Sequence, residues 1–202
     1  MSSQEFKRIR APVAAGRFYP ARAAELRRLV EALLAEVPAP KVGSVSPKAL
    51  IVPHAGYPYS GPVAATAYGQ LAPERASIRR IVLLGPSHFV QFEGLALPAA
   101  EAFETPLGRV PVDAEAVRRL SELPGVGVLD QAHAMEHSLE VQLPFLQVLL
   151  PRFTLVPLAV GEAGPGLVSR VLERLWDGPQ TRFIISSDLS HYLDWAAARA
   201  LA

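Results

Sequence analysis

The sequence contains no cysteine among its 202 residues. This absence excludes disulfide bridges, thiolate nucleophiles and the zinc or iron-sulfur sites that depend on cysteine ligands. Any metal ion in this protein would therefore be held by nitrogen and oxygen atoms. The sequence also lacks an excess of either charge, since 20 basic and 19 acidic residues give a formal net charge of +1. This balance gives no electrostatic footprint for nucleic acid or for an anionic membrane surface.

Long hydrophobic runs are missing as well. The most apolar region, residues 139–160, is interrupted by glutamine, proline and arginine, unlike the roughly 20 unbroken apolar residues of a membrane span. The beginning of the chain, MSSQEFKRIR, lacks the apolar core of a signal peptide, so the sequence predicts a cytoplasmic protein. Half of the residues are hydrophobic, which is enough for one sizeable core, and we expect a single domain over residues 1–202.

Short apolar runs alternate with helical patterns along the chain, which is typical of an α/β protein with a largely parallel sheet. Runs that are apolar at consecutive positions suit strands covered on both faces. Strands are predicted over residues 49–53, 80–85, 154–160 and 182–186, with weaker ones over 95–97 and 126–129. Helices are predicted over residues 21–37, 62–71, 113–122, 138–150 and 165–176. In the fourth helix, Ser138 is the expected N-cap and Pro144 is expected to cause a kink.

Candidate functional side chains follow three of the predicted strands. His54 comes directly after the first, His88 follows the second within a short loop, and Asp188 and His191 follow the strand that ends at residue 186. Ligands of α/β sheets bind beyond the carboxyl ends of the strands, so the pattern predicts one shared site. Two or three imidazoles and a carboxylate form the ligand set of Fe(II), Mn(II), Zn(II) or Cu(II) sites. In a metal-free alternative, Asp188 orients His191 and the two act as an acid-base pair.

A further histidine motif competes with this interpretation. Residues 133–137, HAMEH, match the H-x-x-E-H pattern of inverted zincins, in which both histidines share one helical face. The preceding residues form little amphipathic helix, which disfavours a metalloprotease. We instead expect His137, Glu136 and Glu140 to reach the common site from a helix N-terminus. The alternative for the two glutamates is that they complement the helix dipole.

Six sequence blocks together resemble the Memo family, whose prokaryotic members are called AmmeMemoRadiSam system protein B. The blocks are PVAAGRFYP (12–20), IVPHAGYPYSG (51–61), LGPSH (84–88), FETPLG (103–108), EHSLEVQLPF (136–145) and SSDLSHY (186–192). The family is similar in fold to the catalytic subunit of class III extradiol dioxygenases. The resemblance therefore implies a three-layer α/β/α sandwich around a largely parallel, mixed central sheet.

The resemblance also implies roles for individual residues. His54 and His88 are the expected metal ligands, and His191 matches the acid-base histidine of the dioxygenases, with Asp188 beside it. His137 is expected to face the same pocket. Because those dioxygenases hold a non-haem iron with two histidines and one carboxylate, Fe(II) is the expected divalent metal here, with Cu and Zn as alternatives.

Two departures from the family pattern concern the metal site. The animal Memo protein takes its third ligand from a cysteine, a residue type that this chain lacks. Either another group, such as Asp188, His191 or water, then completes the coordination, or the metal site is weakened. Family members normally continue for several tens of residues past the last block, so we expect the C-terminal part of the family fold to be missing.

The resemblance implies two alternative functions. The first is metal-dependent oxidation of an unknown small substrate, with His191, His137 and Asp188 as catalytic residues. The second is a non-catalytic binding or adaptor module, in which the same pocket recognises an anionic or phosphotyrosine-like ligand with Arg17 as an additional contact. The expected partner is thus a small molecule or a peptide, with no nucleic acid and no membrane, and a homo-oligomer is left open.

Overall fold

The computed structural model describes residues 6–41, 43–189 and 193–201, which form nine strands and seven α-helices. The strands are β1 (Ile9–Arg10), β2 (Ala49–Val52), β3 (Arg80–Pro86), β4 (Leu95–Leu97), β5 (Ala102–Thr105), β6 (Gly108–Pro111), β7 (Val126–Val128), β8 (Thr154–Val160) and β9 (Thr181–Ser186). The helices are α1 (Ala23–Ala35), α2 (Tyr57–Gly69), α3 (Ala114–Ser121), α4 (Gln131–Ala134), α5 (Leu143–Leu149), α6 (Pro165–Leu175) and α7 (Trp195–Leu201). Single turns of 3₁₀-helix lie at Ala72–Glu74 and Glu140–Gln142.

Six of the strands form the central sheet, in the order β2-β9-β3-β8-β4-β7. The first four strands are parallel to one another, β4 is antiparallel to β8, and β7 is parallel to β4. A separate sheet has the order β1-β5-β6. The prediction of a largely parallel, mixed central sheet is therefore confirmed.

Helices cover both faces of the central sheet. In β3, Ile81 and Leu83 belong to the core shared with α1, α2 and α5, whereas Val82 and Leu84 belong to the core shared with α3 and α6. Successive side chains of a strand point to opposite faces, so a run of consecutive apolar residues serves two cores at once. The protein is a three-layer α/β/α sandwich, as the sequence predicts.

The edge strand β2 is only partly covered, which corrects the prediction that both of its faces are buried. Val52 is fully buried on the side of α1, α2 and α5, but Ile51 on the opposite face is 62% exposed. Among the described residues, β2 has a strand neighbour, β9, on one side only. The layer of α3 and α6 packs over the middle strands and leaves Ile51 uncovered.

Two predicted helix boundaries were wrong because tertiary contacts outweigh local proline signals. α2 begins at Tyr57 and includes Pro62, which was predicted to start the helix. Burial of the Tyr57 ring and a hydrogen bond from its hydroxyl to the Val141 carbonyl, 2.7 Å long, stabilise the extra turn. Tertiary contacts of this kind routinely override propensity.

The helix predicted over residues 138–150 is shorter, because α5 begins at Leu143 after a 3₁₀ turn. Ser138 is not its N-cap, since the Ser138 hydroxyl donates to the Pro86 carbonyl at 2.8 Å. Pro144 lies in the first turn of α5 rather than inside the helix. A proline at that position removes no intrahelical hydrogen bond, which is why no kink is needed.

Several short elements were not predicted from the sequence, namely β1, β5, β6, α4 and α7. None of the helices formed by residues 6–41, 43–189 and 193–201 combines the length and the apolar character that crossing a membrane requires.

His133 lies in α4 and is buried away from the other histidines. Its Nε2 donates to the Ala96 carbonyl at 2.9 Å, and its side chain packs edge-on against Phe103. Burial lowers the pKa of His133 to about 4 from the usual 6.5. The imidazole is therefore neutral in the folded protein, and the zincin interpretation of residues 133–137 is wrong because His133 and His137 do not share a site.

The low pKa of His133 predicts a loss of stability in acid. His133 takes up a proton near pH 6.5 in the unfolded chain but only near pH 4 in the folded protein. The contribution of the neutral imidazole to the free energy of unfolding is therefore fully present above pH 6.5 and is lost as the pH falls toward 4. The variant His133→Gln keeps an amide donor for the Ala96 carbonyl. Between about pH 7 and about pH 4.5, we expect its free energy of unfolding to fall by about 2 to 3 kcal/mol less than that of the parent.

Urea unfolding of both proteins at the two pH values measures this difference. His54 also has a lowered pKa and is present in both proteins, so its effect cancels in the comparison. An equal loss of stability in parent and variant would contradict the assignment.

Candidate metal centre

Three neighbouring strands place a metal-binding type of side chain at the same distance beyond their ends. His54, His88 and Asp188 each lie two residues after the last residue of β2, β3 and β9, which are adjacent in the order β2-β9-β3. Val52 of β2 is paired with Ser186 of β9, so His54 and Asp188 leave the sheet side by side. The Asp188 Oδ1 accepts a hydrogen bond of 2.7 Å from the His54 backbone N–H.

His137 reaches the same place from the segment between α4 and the following 3₁₀ turn. The hydrogen bond from Ser138 to the Pro86 carbonyl ties this segment to the end of β3. The ring of His137 stacks on that of His88, with centroids 4.7 Å apart, and lies 5.8 Å from that of His54. One potential ligand atom from each of the three histidines lies within 4.8 Å of the others.

The hydrogen bonds of Ser186 determine which nitrogen of His54 carries a proton. The Ser186 hydroxyl has one proton and donates it to the Ser138 carbonyl at 2.6 Å. The Ser186 hydroxyl oxygen accepts a hydrogen bond from Gln142 Nε2 at 2.9 Å. His54 Nδ1, 3.0 Å away, must therefore donate to Ser186. This leaves the His54 Nε2 lone pair free, and Nε2 is buried with no hydrogen-bond partner among the described residues.

Glu136 orients His88 in a comparable way. Its carboxylate accepts from the His88 backbone N–H at 2.6 Å, from His88 Nδ1 at 2.9 Å and from the Ser138 N–H at 2.9 Å. Burial opposes ionisation of Glu136, but these hydrogen bonds outweigh it and lower the pKa of the carboxyl group. With Nδ1 donating to a carboxylate, His88 presents Nε2 as a lone pair, an arrangement that is usual for metal-binding histidines.

Burial keeps His54 and His137 neutral near pH 7. Burial lowers the pKa of His54 to about 4, and it also lowers the pKa of His137. His137 Nδ1 is buried and has no hydrogen-bond partner in the part of the chain that the structure describes. The His88 side chain is 33% exposed, so the cluster opens to solvent on its side. Neutral imidazoles with free lone pairs can bind a divalent metal ion.

The structure brings together most of the residues expected at the site. His54, His88 and His137 form the cluster, and Asp188 Oδ2 is 3.8 Å from His54 Nε2. His191, expected as the acid-base residue, lies outside the described residues. Glu140 does not point a free carboxylate at the histidines, because its oxygens are engaged by Arg10, by Tyr19 and by backbone N–H groups.

Sequence reasoning missed Ser186 and Gln142, the residues behind His54. Ser186 is the last residue of β9, and the sequence analysis assigned it no role in orienting a histidine. Its role depends on contacts with Ser138 and His54, which are 48 and 132 positions away in the sequence. The only available signal was that the strand preceding the SSDLSH motif ends in a polar residue.

The fold and the site define a class, namely α/β sandwich proteins with a histidine-rich pocket at the carboxyl edge of a mixed sheet. Comparison with known sequences then identifies the family, since residues 10–199 match the family described as Memo-like protein. The chain belongs to this family.

Relatives named MEMO1 family protein occur in several microorganisms. The protein of Ignicoccus hospitalis is 41% identical over 198 residues, which cover 91% of this chain and 69% of the relative. That of Aquifex aeolicus is 38% identical over 197 residues, covering 95% and 71%, and that of Thermotoga neapolitana is 39% identical over 203 residues, covering 92% and 72%. The chain thus spans about 70% of the length of these relatives.

Gly85 of β3 allows the segment that carries His137 to approach the sheet. A Cβ added at this position would lie 2.8 Å from Ser138 Oγ and 2.9 Å from Leu139 Cδ2. We therefore expect Gly85→Ala to displace residues 136–139 and to lower the free energy of unfolding by about 1 to 3 kcal/mol. Urea denaturation measures the change.

Gly127→Ala is the matched control, because Gly127 also lies in a strand and an added Cβ there meets nothing within 4 Å. The control should unfold at the same urea concentration as the parent, or at a slightly higher one. If Gly85→Ala behaved in the same way, the close approach would not constrain the site.

Proposed function

We propose that the protein binds one redox-active divalent metal ion through His54, His88 and His137, and that the bound ion supports oxidation of a small substrate. The observation that carries this proposal is the convergence of three imidazoles, one potential ligand atom from each within 4.8 Å of the others. Hydrogen bonds to Ser186 and Glu136 hold two of these rings with a free Nε2 lone pair.

The residues present fit a metal ion better than they fit an empty polar pocket. A buried polar atom without a hydrogen bond has a free-energy cost, and His54 Nε2 and His137 Nδ1 are both in this state, although Glu136 Oε1 lies 3.5 Å from His137 Nδ1. Metal coordination would satisfy such atoms without further protein groups. In this proposal His137 takes the third ligand position, which the resemblance to animal Memo assigns to a cysteine.

The donor set favours iron, copper or zinc over calcium or magnesium, which prefer oxygen ligands. We propose Fe(II), with Cu as the redox-active alternative; Zn fits the ligand set but would not support the oxidation. A bound redox-active ion supplies electron transfer and Lewis acidity at the pocket.

The chain's own residues then orient the ligands and handle protons. Glu136 and Ser186 hold His88 and His54 in position, and Asp188 is held beside His54 by the backbone hydrogen bond that it accepts. With Oδ2 3.8 Å from His54 Nε2, Asp188 is placed to accept a proton from a substrate at the cluster. His191 remains the predicted partner of Asp188 in this step.

A second function is favoured by the contact of Phe18 with the histidine cluster. Arg17 is exposed, and the neighbouring Phe18 ring lies 4.3 Å from the ring of His137. An aromatic ring beside the pocket, preceded in the chain by an exposed cation, suits a ligand that is both aromatic and anionic, such as a phosphotyrosine side chain. In this alternative the protein is a binding module and the pocket performs no chemistry.

Metal binding is tested by anaerobic loading with Fe(II), dialysis and elemental analysis. We expect about one ion per chain for the parent and none retained by His54→Ala. We expect Glu136→Gln to weaken the affinity by about 10- to 100-fold, since it removes the carboxylate behind His88.

His133→Gln is the matched control, because His133 is a histidine outside the cluster. It should bind the metal as the parent does. Equal metal content in the parent and in His54→Ala would refute the proposed ligand set.

A pair of measurements separates oxidation from binding. If the protein is an oxidase or oxygenase, the Fe(II)-loaded parent should consume oxygen with catechol as the probe substrate, and His54→Ala should not. If it is a binding module, phosphotyrosine should bind equally well before and after metal removal, and Arg17→Gln should weaken this binding. Metal-independent binding without oxygen uptake would contradict the oxidative function.

A further inference from the structure

A second cavity lies at the end of the central sheet opposite to the histidines. Its lining includes Arg80 and Thr154, the first residues of β3 and β8, whereas His54 and His88 follow the carboxyl ends of β2 and β3. The seven residues of β3 separate the two ends by roughly 20 Å. The cavity has a volume of about 860 Å³, within the range of about 300 to 1,000 Å³ that is usual for small-molecule sites.

Arginine dominates the charge of this cavity. The ionisable residues of its lining are one aspartate, Asp113, and five arginines: Arg27, Arg79, Arg80, Arg109 and Arg152. The arginines come from α1, from β6 and from the loops and strand starts at the amino ends of β3 and β8. Elements far apart in the sequence therefore bring positive charge to one place.

Among the described residues, Arg80 is the only one of the five arginines that pairs with a carboxylate of the cavity lining. Arg80 Nε lies 2.7 Å from Asp113 Oδ2. Arg79 and Arg152 have no carboxylate partner in residues 6–41, 43–189 and 193–201, and Arg79 Nη1 donates to the carbonyl of the adjacent residue, Ile78. These two groups keep most of their donors available.

The other two arginines have weak surface partners. Arg109 lies 3.1 Å from Glu104 and Arg27 lies 3.9 Å from Glu31, and all four side chains are at least 37% exposed. Ion pairs of this kind contribute little to stability, so a stronger anion can compete for the guanidinium groups. The lining thus retains an excess of positive charge.

The rest of the lining is largely apolar. It is formed mainly by the side chains of Leu107, Val110, Pro111, Leu150, Pro151 and Phe153. An apolar wall beside unpaired arginines suits a ligand that has a planar apolar body and a strongly anionic group. The guanidinium fork matches the geometry of phosphate oxygens, to which it can donate two parallel hydrogen bonds.

We propose that this cavity binds a small phosphorylated ligand with an aromatic ring, of the nucleotide class. The phosphates contact Arg79 and Arg152, and the ring packs against the apolar wall. This site is independent of the metal centre, because the two lie at opposite ends of β3 and share no residue of the described chain.

The test is a titration of the protein with a fluorescent N-methylanthraniloyl derivative of ADP, at moderate salt to screen long-range attraction. We expect saturable binding by the parent and binding at least about tenfold weaker for the double variant R79Q/R152Q, since each change removes a charge-assisted donor. Inorganic pyrophosphate should compete, but more weakly than ADP, because it lacks a ring.

The matched control is R22Q/R170Q, which removes the same charge from exposed positions outside the cavity. It should bind the nucleotide as the parent does. The R79Q/R152Q protein should keep the parent's urea midpoint, which verifies that it is folded. Equal affinities of parent and R79Q/R152Q, or no saturable binding by the parent, would overturn the proposal, and pyrophosphate binding as tightly as ADP would contradict the role of the apolar wall.

Discussion

The buried ion pair between Glu140 and Arg10 is the interaction on which the rest of the structure depends. Both Glu140 oxygens are used, because they also accept from the Tyr19 hydroxyl and from the backbone N–H groups of residues 13 and 14. A buried charge is destabilising unless its hydrogen-bonding capacity is satisfied in this way. Arg10 in turn donates to the carbonyls of His133 and Glu136. One residue pair thereby joins the N-terminal segment and the small sheet to the segment that carries the third histidine.

Most buried polar groups of the site also have their hydrogen-bonding capacity satisfied, but two atoms of the histidines do not. Behind the histidines, Gln142 donates to Pro53 and Ser186 and accepts from the Tyr68 hydroxyl, so its amide group is fully engaged. Within the site, the polar atoms without a hydrogen-bond partner are His54 Nε2 and His137 Nδ1. Elsewhere in the described residues, His133 Nδ1, Thr181 Oγ1 and Arg182 Nε also have none. Unsatisfied buried groups are rare in proteins and are a common property of functional sites. At His54 Nε2 and His137 Nδ1 a ligand can supply the missing partner.

The fold was predictable wherever one local pattern decided the outcome. β8 and β4 have the predicted bounds because buried strands need apolar residues at successive positions, and the strand-end rule indicated where His54 and His88 meet. Prediction failed where distant contacts decide the conformation. The residues before α5 are recruited to the end of β3 by Ser138 and Gly85, which no helix signal reveals. The tautomer of His54 and the arginine cavity were unpredictable for the same reason, since both depend on elements that are remote in the sequence.

The open side of β2 has a consequence for the behaviour of the protein in solution. This strand, ALIV, carries no charge, its outer edge has no strand neighbour among the described residues, and Ile51 is largely exposed. Natural sheets protect such edges with lysine, proline or a bulge, because an unpaired row of N–H and C=O groups is a template for any extended chain. Within the described residues, the nearest protecting charge is Lys48, and its Nζ is already engaged by the Gly178 carbonyl. Addition of a strand at this edge would extend the sheet and would cover the Ile51 side chain in the same step.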